Sequence, residues 1–154
     1  MTYKVFLQIL FLFTFYCGTV YSQNVFFYTL SNLDFGDVFL GYSKTVNHTD
    51  VGAAKFQTYQ NRANNPFVQI TFTLPSALRN GSYSVPITFS SATSAYSTID
   101  SPTGRTNFNP SNALFGRLSR NTRVYFWLGG SVSVPTNIIP GTYSATITAT
   151  IVVY

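Results

Sequence analysis

Residues Ile139–Tyr154 read IPGTYSATITATIVVY. Pro140-Gly141 is a turn signal. Behind it Tyr143, Ala145, Ile147, Ala149, Ile151 and Val153 alternate with Ser144, Thr146, Thr148 and Thr150. Successive side chains of a pleated chain point to opposite faces. A repeat of two with an apolar side and a hydroxyl side therefore predicts a half-buried β-strand, here one long strand from Tyr143 to Val153. A sandwich carrying such a strand either hides its edge within its own sheet or offers it to another chain.

Working back from there, the same alternation recurs. Phe67 to Leu74 places Val68, Ile70, Phe72 and Leu74 on one face and Gln69, Thr71 and Thr73 on the other. Asn80-Gly81 predicts a hairpin, with Tyr83, Val85, Ile87 and Phe89 on the apolar face of the returning strand. Pro86 places that strand at an edge or beside a bulge. Further strands are expected over Val25–Leu30, from Val38 and Leu40 to Gly41, over Ala53–Tyr59, Leu114–Leu118 and Arg123–Leu128. Gly129-Gly130 is read as a turn into Val132 and Val134. Ser90–Asn112, polar and holding Pro102, Gly104 and Pro110, is expected to be a long loop pinned by Phe108. Few Lys, no Glu and abundant Thr, Val, Phe and Tyr disfavour helices. About eight short strands with turns between them predict an all-β protein, an antiparallel β-sandwich.

The first 22 residues read as a cleaved secretory signal helix, with Lys4, an apolar run Val5–Tyr16, and Val20 and Ser22 placed for cleavage before Gln23. Removing 22 of 154 residues leaves 132, one β-sandwich domain over 23–154. The only cysteine, Cys17, leaves with the signal, so packing alone must hold the domain. The address expected is periplasm, cell surface or medium, with no membrane span in the mature chain. The whole chain carries +5, and +4 without Lys4, a mild attraction for acidic partners.

Catalytic chemistry finds little support. His48 is the only histidine. A Ser-His-Asp arrangement would need it with Asp50 or Asp34, and no G-x-S-x-G occurs. Asp34 and Asp37 lie three apart around Gly36, and Asp34 reads better as a turn residue than as half of an acid pair. Calcium would need Asp34, Asp37 and Asp50 together, without a spacing motif to support them. No cofactor and no enzyme activity are expected. Arg117, Arg120 and Arg123 form the one basic cluster, with Tyr125 and Trp127 behind. Arginine with aromatics can hold single-stranded nucleic acid, sugars or acidic groups, and an exported chain leaves glycan as the better candidate, with no nucleic acid. A terminal-strand outer-membrane barrel fails on register, since Thr146, Thr148 and Thr150 would face lipid.

Several stretches together resemble a known family. They are Leu33-Asp34-Phe35-Gly36, Ala53-Ala54-Lys55-Phe56, Val68–Pro75 (VQITFTLP), Leu128-Gly129-Gly130 with Val132 and Val134-Pro135, and Pro140-Gly141-Thr142-Tyr143 leading into the alternating Thr and Ile. Over nearly the whole mature length the chain resembles bacterial secreted domains of unknown function, which are similar to spore coat protein U-like domains and to chaperone–usher pilins. It differs in a longer Ser90–Asn112 insertion and in lacking the cysteines of many pilins. The resemblance implies an immunoglobulin-like Greek-key sandwich acting as a bacterial cell-surface structural or adhesive subunit, assembled by strand addition. The expected partners are like subunits or a periplasmic chaperone. The strands concerned would be Val25–Leu30, with Val25 and Phe27, as donor, and an acceptor edge carrying Tyr143, Ile147, Ile151 and Val153; the competing expectation is that Val25–Leu30 pairs within its own domain. The alternative is a monomeric binding module contacting glycan through Arg117, Arg120, Arg123 and Trp127.

Overall fold

The computed structural model describes residues 25–61 and 64–154. The expected signal segment 1–22 lies outside them. Among the described residues the protein is all-β and antiparallel, with twelve strands in three sheets and no helix. None of these residues forms a helix long and apolar enough to cross a membrane.

One sheet has five strands. In spatial order they are β1 (Val25–Ser31), β3 (Ala54–Gln60), β10 (Arg123–Leu128), β7 (Ser94–Ser97) and β8 (Thr106–Asn107). A second runs β2 (Ser43–Val46), β11 (Gly130–Ser133), β6 (Tyr83–Thr88) and β5 (Ala77–Asn80). The third runs β12 (Thr148–Val153), β4 (Phe67–Thr73) and β9 (Leu114–Arg117).

The five- and three-stranded sheets face each other across the larger core. Alternation puts Ala54 and Phe56 of β3 and Phe126 and Leu128 of β10 against Val68, Ile70 and Phe72 of β4. Phe72 is the hub, its ring 5.7 to 5.9 Å from those of Phe56, Phe108 and Phe126. Such aromatic clusters bury much area per residue, which suits a domain without cross-links. Gln60 is 1% exposed, and its side-chain amide donates to the carbonyls of Leu118 and Asn64. A buried amide is tolerated only when paired in this way. A smaller core joins Val46, Val85, Ile87 and Val132 with Phe35 and Ala53.

Several expectations need correction. Gly129-Gly130 does not reverse the chain. β10 and β11 run on as one ribbon that leaves β3 and β7 and joins β2 and β6. Glycine is required because the backbones nearly touch there: any side chain at Gly129 would collide with the carbonyls of Val46 and Thr93. Val38–Gly41 is not a strand, and the nearby strand is the polar Ser43–Val46 instead. Ser90–Asn112 is not one loop, since it supplies β7 and β8 and buries Ala95 as well as Phe108. Pro86 sits on a strand paired on both sides, not at an edge. Its effect is nonetheless visible. The Ile87 N–H donates toward β5, to Ser76, so position 86 faces β11, and the β11 ladder stops at Ile87 because Pro86 has no N–H to give.

The long terminal strand is also interrupted. Arg79 and Ser144 exchange backbone hydrogen bonds of 2.9 and 3.1 Å, and pairing resumes only at Thr148 with Thr73. Between these points the partner strand is broken at Pro75-Ser76, where Pro75 can donate nothing. The ribbon therefore follows β5 and β4 in turn, in two paired pieces.

Candidate functional site

Among the described residues β12 hydrogen-bonds only to β4, and β1 only to β3, so each is the edge of its layer there. Val25 and Phe27 of β1, and Ala149, Ile151 and Val153 of β12, turn toward the larger core yet are only half-buried, as are Leu33 and Ile147 just outside the strands. Their neighbours Val68, Ile70 and Phe72 are 2, 4 and 8% exposed. The difference has a simple cause: β4 has a strand on each side, whereas β1 and β12 have one. The result is an open seam of apolar side chains.

Toward Pro140 the seam deepens into a cavity of about 730 Å³. Leu33, Phe35, Leu78, Val85, Ile87 and Ile147 are among the residues that line it. That volume lies within the range of clefts that hold ligands, roughly 300 to 1,000 Å³.

The edge of β12 has a definite polarity. The Tyr154 N–H donates to the Phe67 carbonyl at 2.9 Å. In an antiparallel ladder the inward- and outward-bonding residues alternate. Thr148, Thr150 and Val152 therefore bond to β4, while the N–H and C=O groups of Ala149, Ile151 and Val153 point to the free edge. The residues that face the seam with their side chains also hold the unused backbone groups.

The expected strand residues divide accordingly. Ile151 and Val153 lie on β12, and Ile147 and Tyr143 precede it along the cavity, the Tyr143 hydroxyl donating to the Ile139 carbonyl at 2.8 Å. Val25 and Phe27 are engaged within their own domain. They stand opposite Gln60 and Thr58, and the Phe27 ring lies 5.7 Å from that of Phe56. Val25–Leu30 therefore serves its own sheet in this structure, and donating it would require breaking the ladder to β3.

The four expected ligand residues are split: Arg117 and Arg120 meet at Asn65, while Arg123 and Trp127 stand on β10. Arg117 lies on the outer face of the three-stranded sheet, its guanidinium donating to the Asn65 carbonyl at 3.2 Å. The Arg120 N–H donates to the Asn65 side chain at 3.2 Å in the adjoining turn. Arg123 and Trp127 are on β10, on the outer face of the five-stranded sheet. Trp127 is 4% exposed because the Arg105 guanidinium stacks on it, 3.7 Å from the ring centre. Arg105 also donates to the carbonyls of Ser101 and His48, and Lys55 pairs with Asp100 at 2.6 Å. The segment before Arg105 is thus strapped over the indole. Sequence reasoning missed Lys55, Asp100 and Arg105 here. The alternation Lys55, Gln57, Tyr59 signalled a polar outer face, but the arrival of Arg105 depends on tertiary structure.

His48 lies in the turn that follows β2. It is half-buried, and its Nδ1 is enclosed without a hydrogen-bond partner. Burial lowers its pKa, the positive charge of Arg105 lowers it further, and Asp50 opposes them. The acids serve turns. Asp34 accepts the Gly36 N–H at 2.7 Å, with Gly36 at a φ of 57°, and Asp50 accepts the Asn47 N–H at 2.8 Å. Among the described residues no group of three or more His, Cys, Asp or Glu is placed to hold a metal ion.

Comparison with protein-family models, with curated proteins and with solved structures finds no match to this chain.

Proposed function

We propose that this chain is an exported, non-enzymatic surface subunit, an immunoglobulin-like sandwich that accepts a β-strand from another chain at its open seam. The observation that carries this reading is the coincidence on Ala149, Ile151 and Val153 of half-buried side chains with backbone donors and acceptors that, among the described residues, have no partner strand. An added strand would bond to those groups, and its own alternate side chains would enter the seam and the cavity beside it. The sequence resemblance to pilin-like domains agrees with this role. Because Val25–Ser31 is paired with β3, the donor is a strand from a different chain, or β1 exchanged from a second copy.

The test uses the chain from Gln23 onward. Its size is followed by light scattering and its amides by hydrogen exchange, alone and in assemblies recovered from the cell surface. In the free chain the amides of Ala149, Ile151 and Val153 exchange quickly, while those of Thr150 and Val152 are protected. In the assembly all five are protected. Ala149→Pro removes a donor that no described strand uses, so it should leave the fold intact and abolish assembly. Assemblies in which the three outward amides still exchange quickly, or which form normally with Ala149→Pro, refute the reading.

A further inference from the structure

The five-stranded sheet turns its other face to solvent, away from the seam. The strand registers set its side chains in rows: Phe26, Tyr59 and Arg123, then Tyr28, Gln57 and Tyr125, then Lys55 and Trp127. Phe26 and Tyr28 are 37 and 46% exposed. The ring of Phe26 lies 6.3 Å from that of Tyr28 and 6.4 Å from that of Tyr59, with planes only 15° and 24° apart. Three rings on two strands therefore share nearly one orientation. Tyr59 is held in place, its hydroxyl bonded to Asn121 at 3.1 Å and the Arg123 guanidinium 5.5 Å from its ring centre.

We propose that this face binds an acidic polysaccharide. Aromatic faces accept the C–H side of a pyranose, and similarly turned rings offer that surface repeatedly along a chain of sugars. Contiguous exposed aromatic surface usually marks an interaction site. The cation selects the charge. Lys55 is already paired with Asp100, the only ion pair among the described residues, whereas Arg123 has no carboxylate beside it. A neutral glycan offers the Arg123 guanidinium only uncharged hydroxyl acceptors, whereas a uronate carboxylate supplies a charged, bidentate one. A protein partner fits less well, because Gln57, Lys55 and Arg123 interrupt the rings and leave no dry centre of the kind protein interfaces have. The held Tyr59 lowers the cost of ordering the site. This inference does not depend on strand addition, since the rings lie on the opposite side of β1 from Val25 and Phe27.

The experiment is affinity electrophoresis of the chain through gels containing alginate, a polyuronate, or dextran, a neutral glucan. Alginate should retard the protein and dextran should not. Tyr28→Ala should weaken retardation about tenfold, the size of one lost stacking contact. Arg123→Gln should do the same, while Arg117→Gln and Arg120→Gln should behave as wild type. Tyr28 is exposed, so its variant decides the matter even if Tyr59→Ala fails to fold. No retardation overturns the proposal. So does equal loss with Arg117→Gln, which would mean diffuse charge attraction, or full retention with Tyr28→Ala. Binding of a protein partner through these same rings, with alginate inert, would equally overturn it.

Discussion

At the scale of single residues, Phe72 and His48 mark opposite ways of being inside. Phe72 is 8% exposed and ringed by three other phenylalanines. Phe72→Ala should cost about 3 to 5 kcal/mol, the range for large-to-small aromatic changes in a core, measured by urea unfolding. His48 is inside at a cost. Its pKa in the folded chain lies below the ordinary value of 6.5, first through burial and then through Arg105. The unfolded chain therefore binds the proton more readily. Stability from this residue is complete above about pH 6.5 and declines as the pH falls through that value toward the depressed folded pKa. The melting temperature should drop between pH 7.5 and 5, and His48→Gln should flatten that part of the profile. The alternation Val68, Ile70, Phe72 announced its buried face correctly, because strands flank Val68 and Ile70 on both sides and the rings of Phe56, Phe108 and Phe126 close over Phe72. The equally regular Ile147, Ala149, Ile151, Val153 announced a face that is only half covered. A periodic pattern reports which way side chains point, and cover depends on neighbours that the pattern does not contain.

At the scale of elements, local signals were legible where they act locally. Asn80-Gly81 closes the hairpin between β5 and β6, with Gly81 at a φ of 58°. The expected strands over Ala53–Tyr59, Phe67–Leu74 and Leu114–Leu118 match β3, β4 and β9 to within a residue or so. What escaped was imposed from elsewhere in the chain. The last strand is broken by a proline on its partner. β2 is too short and polar for periodicity to show it. Gly129-Gly130 is as good a turn signal as any until Val46 is seen pressed against it. The strap over Trp127 belongs to this class, since Arg105 joins it to Ser101, His48 and the indole at once. Arg105→Ala should free the strap, shift Trp127 fluorescence to the red, and make residues 98–105 the first site of proteolytic cutting. An unchanged emission maximum would show that packing other than Arg105 covers the ring.

At the scale of the whole molecule, the outer edges β1 and β12 leave one side of the sandwich unfinished among the described residues. Exposed edges with apolar side chains invite pairing. The chain should therefore associate as its concentration rises, and added salt should weaken this little, because backbone bonds and apolar contacts drive it. Polysaccharide binding, which includes a guanidinium–carboxylate contact at Arg123, should weaken with salt. Light scattering and gel retardation over the same salt series separate the two.

The ribbon Arg123–Ser133 is laddered first into one sheet and then into another. Like a stitch passed through two pieces of cloth, it ties the two sheets by the main chain. A pull applied across the molecule cannot peel one layer away without shearing hydrogen bonds in both, so resistance to tension should be shared and yielding should be abrupt.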